Sequence, residues 1–534
     1  MITSELLEAY LACPLKSYLL SNGEKCLENK FAALYQTQKD SYRHAGIRRL
    51  EGSLSQGVAR GQIEPLGFKK ARWQLALDQA FDRDDLSANI HAIQRVPTKG
   101  RSSEFIPVRF IHLNKPSRAN KMTAVFDAIV LSKLTGQPIS AAKIIHGDAS
   151  TTMKVRVAAH VHELTKMFEK MRVLWAAASP PDLVLNRHCP ECEFRDRCRE
   201  KAIEKDDLSL LTGLTDKERI RLNRKGIFTV NQLSHTFRPR RRPRRLAGQP
   251  EKYHHSLRAL ALREKKIHMV GKLRLPIHGT PIFFDVESLP DRDFYYLVGI
   301  RIEVDGHPTH HSFWANSLSD ERTIWAEFPA VVSAVEKPVL IHYGSFETKF
   351  LKKMCERHGS PPDGSIAAGA IASSLNLLSP MFATVYFPTY SNGLKENARF
   401  LGFEWSDPTA DGHQSIVWRH LWEQSHDRMF REKLNTYNRD DCAALGVVAR
   451  ALVQLDAIVL RGIGGDVAVG RPRTGDRGCG FNDHVPPYLF DRGWILELHV
   501  MDSAIDTVDE QVDPFIHLLA GKTFGQNPAN DLLA

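Results

Sequence analysis

Ile282-Phe283-Phe284-Asp285-Val286-Glu287 is an apolar run that ends in two acids one residue apart. Alternate residues of a strand share a face, so Asp285 and Glu287 point the same way. A second apolar run, Leu340-Ile341-His342-Tyr343-Gly344-Ser345-Phe346, leads to Glu347. A third segment, Tyr437-Asn438-Arg439-Asp440-Asp441-Cys442, sets Tyr437 and Asp441 four apart, on one face of a helix. Asp440 reads as a solvated helix acid. Asp285, Glu287, Glu347 and Asp441 cannot all stay ionised in one cluster without cations. Two Mg2+ or Mn2+ ions about 3.5–4 Å apart would answer that need, activating water and stabilising the leaving oxygen of a phosphodiester.

This order resembles the DnaQ-like 3′→5′ exonucleases of the RNase H fold in their DEDDy, YprB-type form. The resemblance covers about residues 281–457. Asp285, Glu287 and Asp441 match type for type, and Glu347 stands where most of those enzymes carry Asp. The resemblance implies that Tyr437 orients the attacking water. The strand Leu297–Val304 and the strand His311–Ala315 form a hairpin series, as an RNase H-type mixed sheet requires. The segment Leu394–Phe403 reads as an amphipathic helix ending at Gly402, with Lys395 a candidate phosphate contact or, more commonly for such a residue, an exposed helical lysine.

The chain has 534 residues, enough for several domains with cores of their own. Its 43% hydrophobic and 25% charged content is that of an ordinary globular protein. No apolar span is long enough for a membrane helix, and the start has no signal-like core, so a cytoplasmic protein is expected. The net charge of +10 favours a polyanionic partner. Six of the eight residues 238–245 are arginine: Arg238, Arg240, Arg241, Arg242, Arg244 and Arg245. The intervening prolines prevent a regular helix. The run reads as an exposed basic linker that contacts nucleic-acid phosphates, or as a merely solvated one.

Eight cysteines are too few for a disulfide scaffold. Cys189, Cys192 and Cys198 form C-x2-C-x5-C in a polar, basic loop, and Cys13 is the candidate fourth ligand. Cys26, Cys355, Cys442 and Cys479 read as packing residues. A Cys-Pro near the start, followed by Tyr, with C-x2-C-x5-C far along the same domain, resembles the iron–sulfur RecB-type nucleases of the PD-(D/E)XK superfamily. That resemblance implies a 4Fe–4S cluster on Cys13, Cys189, Cys192 and Cys198. Zinc is the competing reading, with His188 a substitute ligand.

A working RecB-type site needs an Asp ending one strand and an acid–x–lysine on the next. The runs Ala88–Val96 and Glu104–Ile111 offer neither. Arg109 falls where an acid belongs, and Phe110 or Ile111 where lysine belongs. The N-terminal domain therefore reads as a degenerate nuclease fold kept for binding or assembly. A rearranged site of Glu104, Asp127 and Lys143 is the alternative.

Between the two folds, Thr215 with Glu218 forms a capping-box pattern, Gly226 ends that helix and Thr229 begins another. This resembles a helix-hairpin-helix, which holds a phosphate path, and reads equally as a helical spacer. Residues after about 458 are rich in turn formers. No Walker motif occurs.

The expected architecture is α/β and multidomain. A degenerate PD-(D/E)XK nuclease-like domain spans 1–204, a helix-hairpin-helix unit 205–237, a basic linker 238–280, an RNase H-like mixed-sheet domain 281–457 and a tail 458–534. The expected activity is that of a metal-dependent nuclease, a 3′→5′ exonuclease on single-stranded or frayed DNA, with a helicase or other subunit in trans. The alternative is a non-catalytic nucleic-acid-binding subunit of a repair, defence or transposition complex. Sequence alone does not separate DNA from RNA.

Overall fold

The computed structural model describes residues 1–25, 29–54, 57–69, 71–97, 103–238, 252–304, 306–463 and 498–501. The chain divides into two compact units. Met1–Ala202 with Leu289–Phe294 form the first, and the remaining described residues the second. Among the described residues no helix is long and apolar enough to cross a membrane.

The first unit runs β1 (Ile2–Thr3), α1 (Ser4–Ala12), α2 (Pro14–Ser21), α3 (Lys30–Gly52), β2 (Val58–Ala59), α4 (Pro65–Lys69), β3 (Leu75–Arg83), β4 (Leu86–Val96), β5 (Glu104–Ile111), α5 (Arg118–Thr135), β6 (Ala141–His146), β7 (Thr151–Arg156), α6 (Val161–Ala176) and α7 (Arg195–Glu204). Its sheet has the order β2-β3-β4-β5-β6-β7, with β1 beside β4. β3, β4 and β5 form an antiparallel meander, whereas β6 is parallel to β5. Parallel neighbours need a crossover, and α5 supplies it. Ser117 and Asn120 cap its start reciprocally, and Gly136 closes it at φ 67°, a conformation only glycine takes freely. Phe126, Val130 and Leu131 of α5 lie in the main core with Ile90 and Ile144. A second apolar cluster joins Ile47 of α3 to Leu77, Ala92, Val108 and Phe110. There α3 passes so close that a Cβ on Gly46 would meet the Phe110 ring at 2.3 Å.

The second unit begins with α8 (Asp216–Asn223), α9 (Val230–Ser234), α10 (His255–Glu264) and β8 (Ile267–Val270). The capping boxes expected at Thr215 and Thr229 form, with Glu218 and Gln232 as partners. Leu208, Leu211, Val230 and Leu233 pack with Ala259, so this helical pair rests on α10.

Next come β9 (Thr280–Leu289), β10 (Phe294–Val304), β11 (His307–Trp314), α11 (Glu321–Ser333), β12 (Pro338–His342), α12 (Phe346–His358), α13 (Ile366–Ala372), β13 (Leu375–Asn376), α14 (Leu378–Met381), β14 (Val385–Tyr386), α15 (Leu394–Phe400), α16 (Gly412–Ser425) and α17 (Arg428–Ile463). The five-stranded sheet has the order β11-β10-β9-β12-β13. β10 and β11 are antiparallel, with Leu297 opposite Trp314, while β12 runs parallel to β9, with Ile341 opposite Phe283. β9 is thus central, buried by Ile282, Phe283 and Phe284. Its acids emerge at the carboxyl end of the parallel pair, where open α/β sheets place their sites. α17 buries Leu434, Tyr437, Asn438, Asp441, Leu445, Val448 and Leu452, a stripe at helical spacing.

Candidate metal centre

Three segments distant in sequence meet at the end of β9. Carboxylate oxygens of Asp285, Glu287 and Asp441 lie within 4.8 Å of one another, the one such group among the described residues. Strand alternation turns Asp285 and Glu287 to the same side, and the buried stripe of α17 brings Asp441 to them. The neighbours fix each acid separately. Asn438 Nδ2 donates to Asp285 Oδ2 at 2.7 Å and to its carbonyl at 3.2 Å. Ser415 Oγ donates to Glu287 Oε2 at 2.8 Å, and Trp405 Nε1 to Asp441 Oδ1 at 2.7 Å. Tyr437 shares a hydrogen bond with Asp441 from one turn earlier on α17.

The electrostatics match the crowding. Burial, with the charges of Asp441, Glu287 and Glu347, drives the Asp285 carboxyl well above its ordinary range. Burial and Asp441 push Glu287 up to about 8. Burial lifts Asp441 to about 6, against the downward pull of Lys395 and of the Trp405 hydrogen bond. Burial and the same three acids raise the Tyr437 phenol, so it stays a proton donor. Three hard oxygen donors that resist ionising together fit a divalent cation such as Mg2+ or Mn2+.

Glu347 stands outside the tight trio. It lies in the first turn of α12, nearly buried, with Oε2 3.4 Å from Nδ1 of the buried His342. Its charge still reaches Asp285 and Glu287. Lys395, the candidate phosphate contact, lies beside the centre. It is half-buried, with Nζ 4.4 Å from the centroid of the Tyr437 ring. Asp440 accepts from the Ser406 N–H at 2.8 Å, so it caps a loop. Cys442 is buried, with Sγ 3.5 Å from the Gly299 carbonyl, as a packing residue.

In the first unit Glu104, Asp127 and Lys143 do not converge. Arg109 Nε and Nη2 donate to the two oxygens of Asp127 at 2.8 and 2.6 Å, and Nη2 also reaches Ser4 Oγ at 3.0 Å. Lys143 Nζ donates to Gln94 Oε1 at 2.6 Å, and Glu104 accepts from Ser140. Val108 and Phe110, on the opposite face of β5, are buried apolar residues.

The four cysteines expected as ligands line one cavity of about 450 Å³, together with His188. Asn186 Nδ2 donates to the Ala12 carbonyl at 3.2 Å and Lys16 pairs with Glu193 at 2.7 Å, so the chain start and the cysteine loop are tied together. Burial pushes the Cys192 thiol up to about 11, which a bound cation would reverse. Four thiols on one cavity are a soft donor set of the kind that thiolate-bound metals take, though their sulfurs do not gather within 4.8 Å as the three carboxylates do. Arg238 is exposed. Arg240, Arg241, Arg242, Arg244 and Arg245 lie outside the described residues, as do Cys26, Cys479 and most of the tail.

Asn438, Ser415 and Trp405 went unread in the sequence. Asn438 alone left a trace, one residue after Tyr437. Its space comes from Gly299 on β10, where a Cβ would sit 1.8 Å from Asn438 Oδ1. Ser415 and Trp405 come from α16 and the loop before it, and no spacing links them to the acids.

Residues 282–453 match the family model described as the RNase H superfamily. The C-terminal part of the chain thus holds an RNase H-like domain. No curated protein matches the chain. A solved structure described as "Crystal structure of SSO0001" is similar at 15% identity, over 38% of this chain and 86% of that one, with a TM-score of 0.22.

Proposed function

We propose that the chain is a metal-dependent nuclease, acting as a 3′→5′ exonuclease on single-stranded or frayed DNA. The observation that carries this reading is the trio of half-buried Asp285 and buried Glu287 and Asp441 at the end of β9, with Tyr437 hydrogen-bonded to Asp441. Asp285, Glu287 and Asp441 would hold Mg2+ or Mn2+, with Glu347 completing a two-ion site. Bound there, the ions supply an activated water and neutralise charge on the phosphodiester. Asn438, Ser415 and Trp405 keep the carboxylates in register, and Tyr437, a donor fixed by its raised pKa, orients the water. The polarity and the DNA preference rest on the DEDDy, YprB-type resemblance.

In this reading the N-terminal unit is a RecB-type fold without its catalytic acids, because Arg109 occupies Asp127 and Phe110 or Ile111 stands where the lysine belongs. It serves binding or assembly. Cys13, Cys189, Cys192 and Cys198 would hold a 4Fe–4S cluster that pins the two ends of the unit. The arginine run 238–245 contacts phosphates, and a helicase acts in trans.

End-labelled single- and double-stranded DNA and RNA, incubated with Mg2+ or Mn2+, test the proposal against Asp285→Ala. Ladders shortening from the 3′ end, lost in the variant, are expected. Cleavage that survives Asp285→Ala would reject the assignment.

A further inference from the structure

α15 carries Lys395 and Arg399 one turn apart, and both lie against a single ring. Lys395 Nζ is 5.5 Å and Arg399 Cζ 5.6 Å from the Trp405 centroid. Residues four apart share a helix face and stand about 6 Å apart along its axis. Trp405 is no idle surface, since its Nε1 holds the Asp441 carboxylate. Lys395 leans further in, over Tyr437. Its ammonium therefore stands between the indole that fixes a metal ligand and the tyrosine beside it.

The hydrogen bonding of this ammonium is incomplete. It donates to the Ala410 carbonyl and forms no ion pair among the described residues. An ammonium has three N–H donors, so two are spare. The charges of Asp441, Asp411 and Glu287 offset part of the cost of burying it, but none of the three accepts a hydrogen bond from it among the described residues. Arg399 is exposed, and its Nη2 donates to the Pro408 carbonyl at 3.0 Å. A guanidinium has five N–H donors, so it too keeps spare ones.

We propose that Lys395 and Arg399 form a two-phosphate track for one nucleic-acid strand, Lys395 on the scissile phosphodiester and Arg399 on its neighbour. The inference rests on the nuclease reading and adds to it the protein's own cation at the reacting phosphate. Hydrolysis adds water across a P–O bond; the water oxygen joins phosphorus and the sugar oxygen leaves with a proton. Lys395 exchanges no proton in this scheme. It offers N–H groups to a non-bridging oxygen as negative charge grows there, which is where a fixed donor accelerates most. Trp405 keeps both cations on the line that leads to Asp441.

The test uses the full chain as Lys395→Met, Lys395→Arg and Arg399→Ala. Three quantities are measured: single-turnover cleavage of end-labelled single strands with Mn2+, salt dependence of strand binding with Ca2+, and Mn2+ affinity by calorimetry without nucleic acid. Lys395→Met should lower the cleavage rate about 10²-fold. It should leave Mn2+ affinity equal or tighter, because a neighbouring cation is gone. Lys395→Arg should recover most of the rate. Arg399→Ala should raise KM with little change in kcat. Each charge removal should flatten the salt slope by about 0.7. A wild-type rate in Lys395→Met would overturn the proposal. So would weaker Mn2+ binding with a parallel fall in Tm, which marks a scaffold lysine. If the wild-type chain cleaves nothing, the nuclease reading fails, and the salt slopes decide the track separately: flattened slopes sustain it and unchanged slopes reject it.

Discussion

In the first unit, Asp127 is buried against Arg109, which donates two hydrogen bonds to it and a third to Ser4. In the C-terminal domain, Asp285, Glu287 and Asp441 are crowded together, and among the described residues their side-chain hydrogen bonds come from neutral groups, on Asn438, Ser415, Trp405 and Tyr437. Both arrangements hold carboxylates against a mixed sheet, Asp127 from helix α5 and Asp441 from helix α17. They differ in where the compensating charge comes from. A guanidinium fixed in the chain closes the first site, since both Asp127 oxygens already accept from Arg109. Among the described residues the second has no cation in hydrogen-bond contact, only the charge of Lys395 nearby, and can accept one from solution. Buried acids therefore mark a metal centre only when the chain itself leaves them without such a partner.

The hardest test of that contrast removes one acid from each unit. Asp441→Ala should lower cleavage about 10³-fold or more, because a ligand and the Tyr437 partner go together, while strand binding stays nearly intact. Asp127→Leu, made with Arg109→Met to avoid a stranded charge, should cleave at close to the wild-type rate. Cleavage that survives the first change and dies with the second would hand the chemistry to the N-terminal unit.

Stability should show the opposite pattern. Arg109→Ala alone leaves Asp127 buried without its cation, which costs about 3–5 kcal/mol in comparable pairs. The double replacement by apolar residues should recover most of that loss. Urea melts of the three chains measure both. Equal stability of the single and double variants would mean that the pair is not the compensated unit described.

Much of the C-terminal site was legible because its signals are local. The period-two acids on β9, the four-residue spacing of Tyr437 and Asp441, and the closing Gly402 are each set within one element. The hairpin strands were readable for the same reason. Glu347 shows the limit. Its place in the order of the acids was clear, but its seat beside His342 depends on how β12 turns into α12. Lys395 was read as a candidate phosphate contact or an exposed helical lysine, and its seat against Trp405 and Tyr437 depends on packing that no local spacing shows. Arg109 was recognised as misplaced for catalysis. That it neutralises Asp127 required β5 and α5 to be placed side by side.

The trio should also write itself into the pH dependence of folding. Glu287 at about 8 and Asp441 at about 6 are raised above their ordinary values, and Asp285 is raised further by burial and its neighbours. Between the ordinary carboxylate range and about pH 8, the native state then holds more protons than the unfolded one. Stability of the metal-free protein should therefore fall as pH rises through that window. Mg2+ or Mn2+ competes with those protons, so the gain in Tm on adding metal should grow with pH. Thermal melts in EDTA and in Mn2+, from pH 5 to 8.5, read both slopes. Asp285→Asn should flatten the EDTA curve, whereas the Arg109–Asp127 double replacement should leave its slope unchanged. A metal-free Tm that rises between pH 6 and 8 would contradict the uncompensated trio.

Tyr437→Phe asks for the finest distinction. The change removes one hydroxyl and keeps the ring, so the contacts with Lys395 and with the edge of Trp418 persist. Asp441 keeps its hydrogen bond from Trp405 and loses the one shared with Tyr437. Metal affinity should change little, and the rate should fall about 10- to 100-fold, as for a group that orients rather than binds. Mn2+ calorimetry beside single-turnover cleavage separates these effects. A loss as deep as that of Asp441→Ala, with Mn2+ binding gone as well, would make the phenol part of the metal site itself. An unchanged rate would leave the water to be oriented by the carboxylates alone.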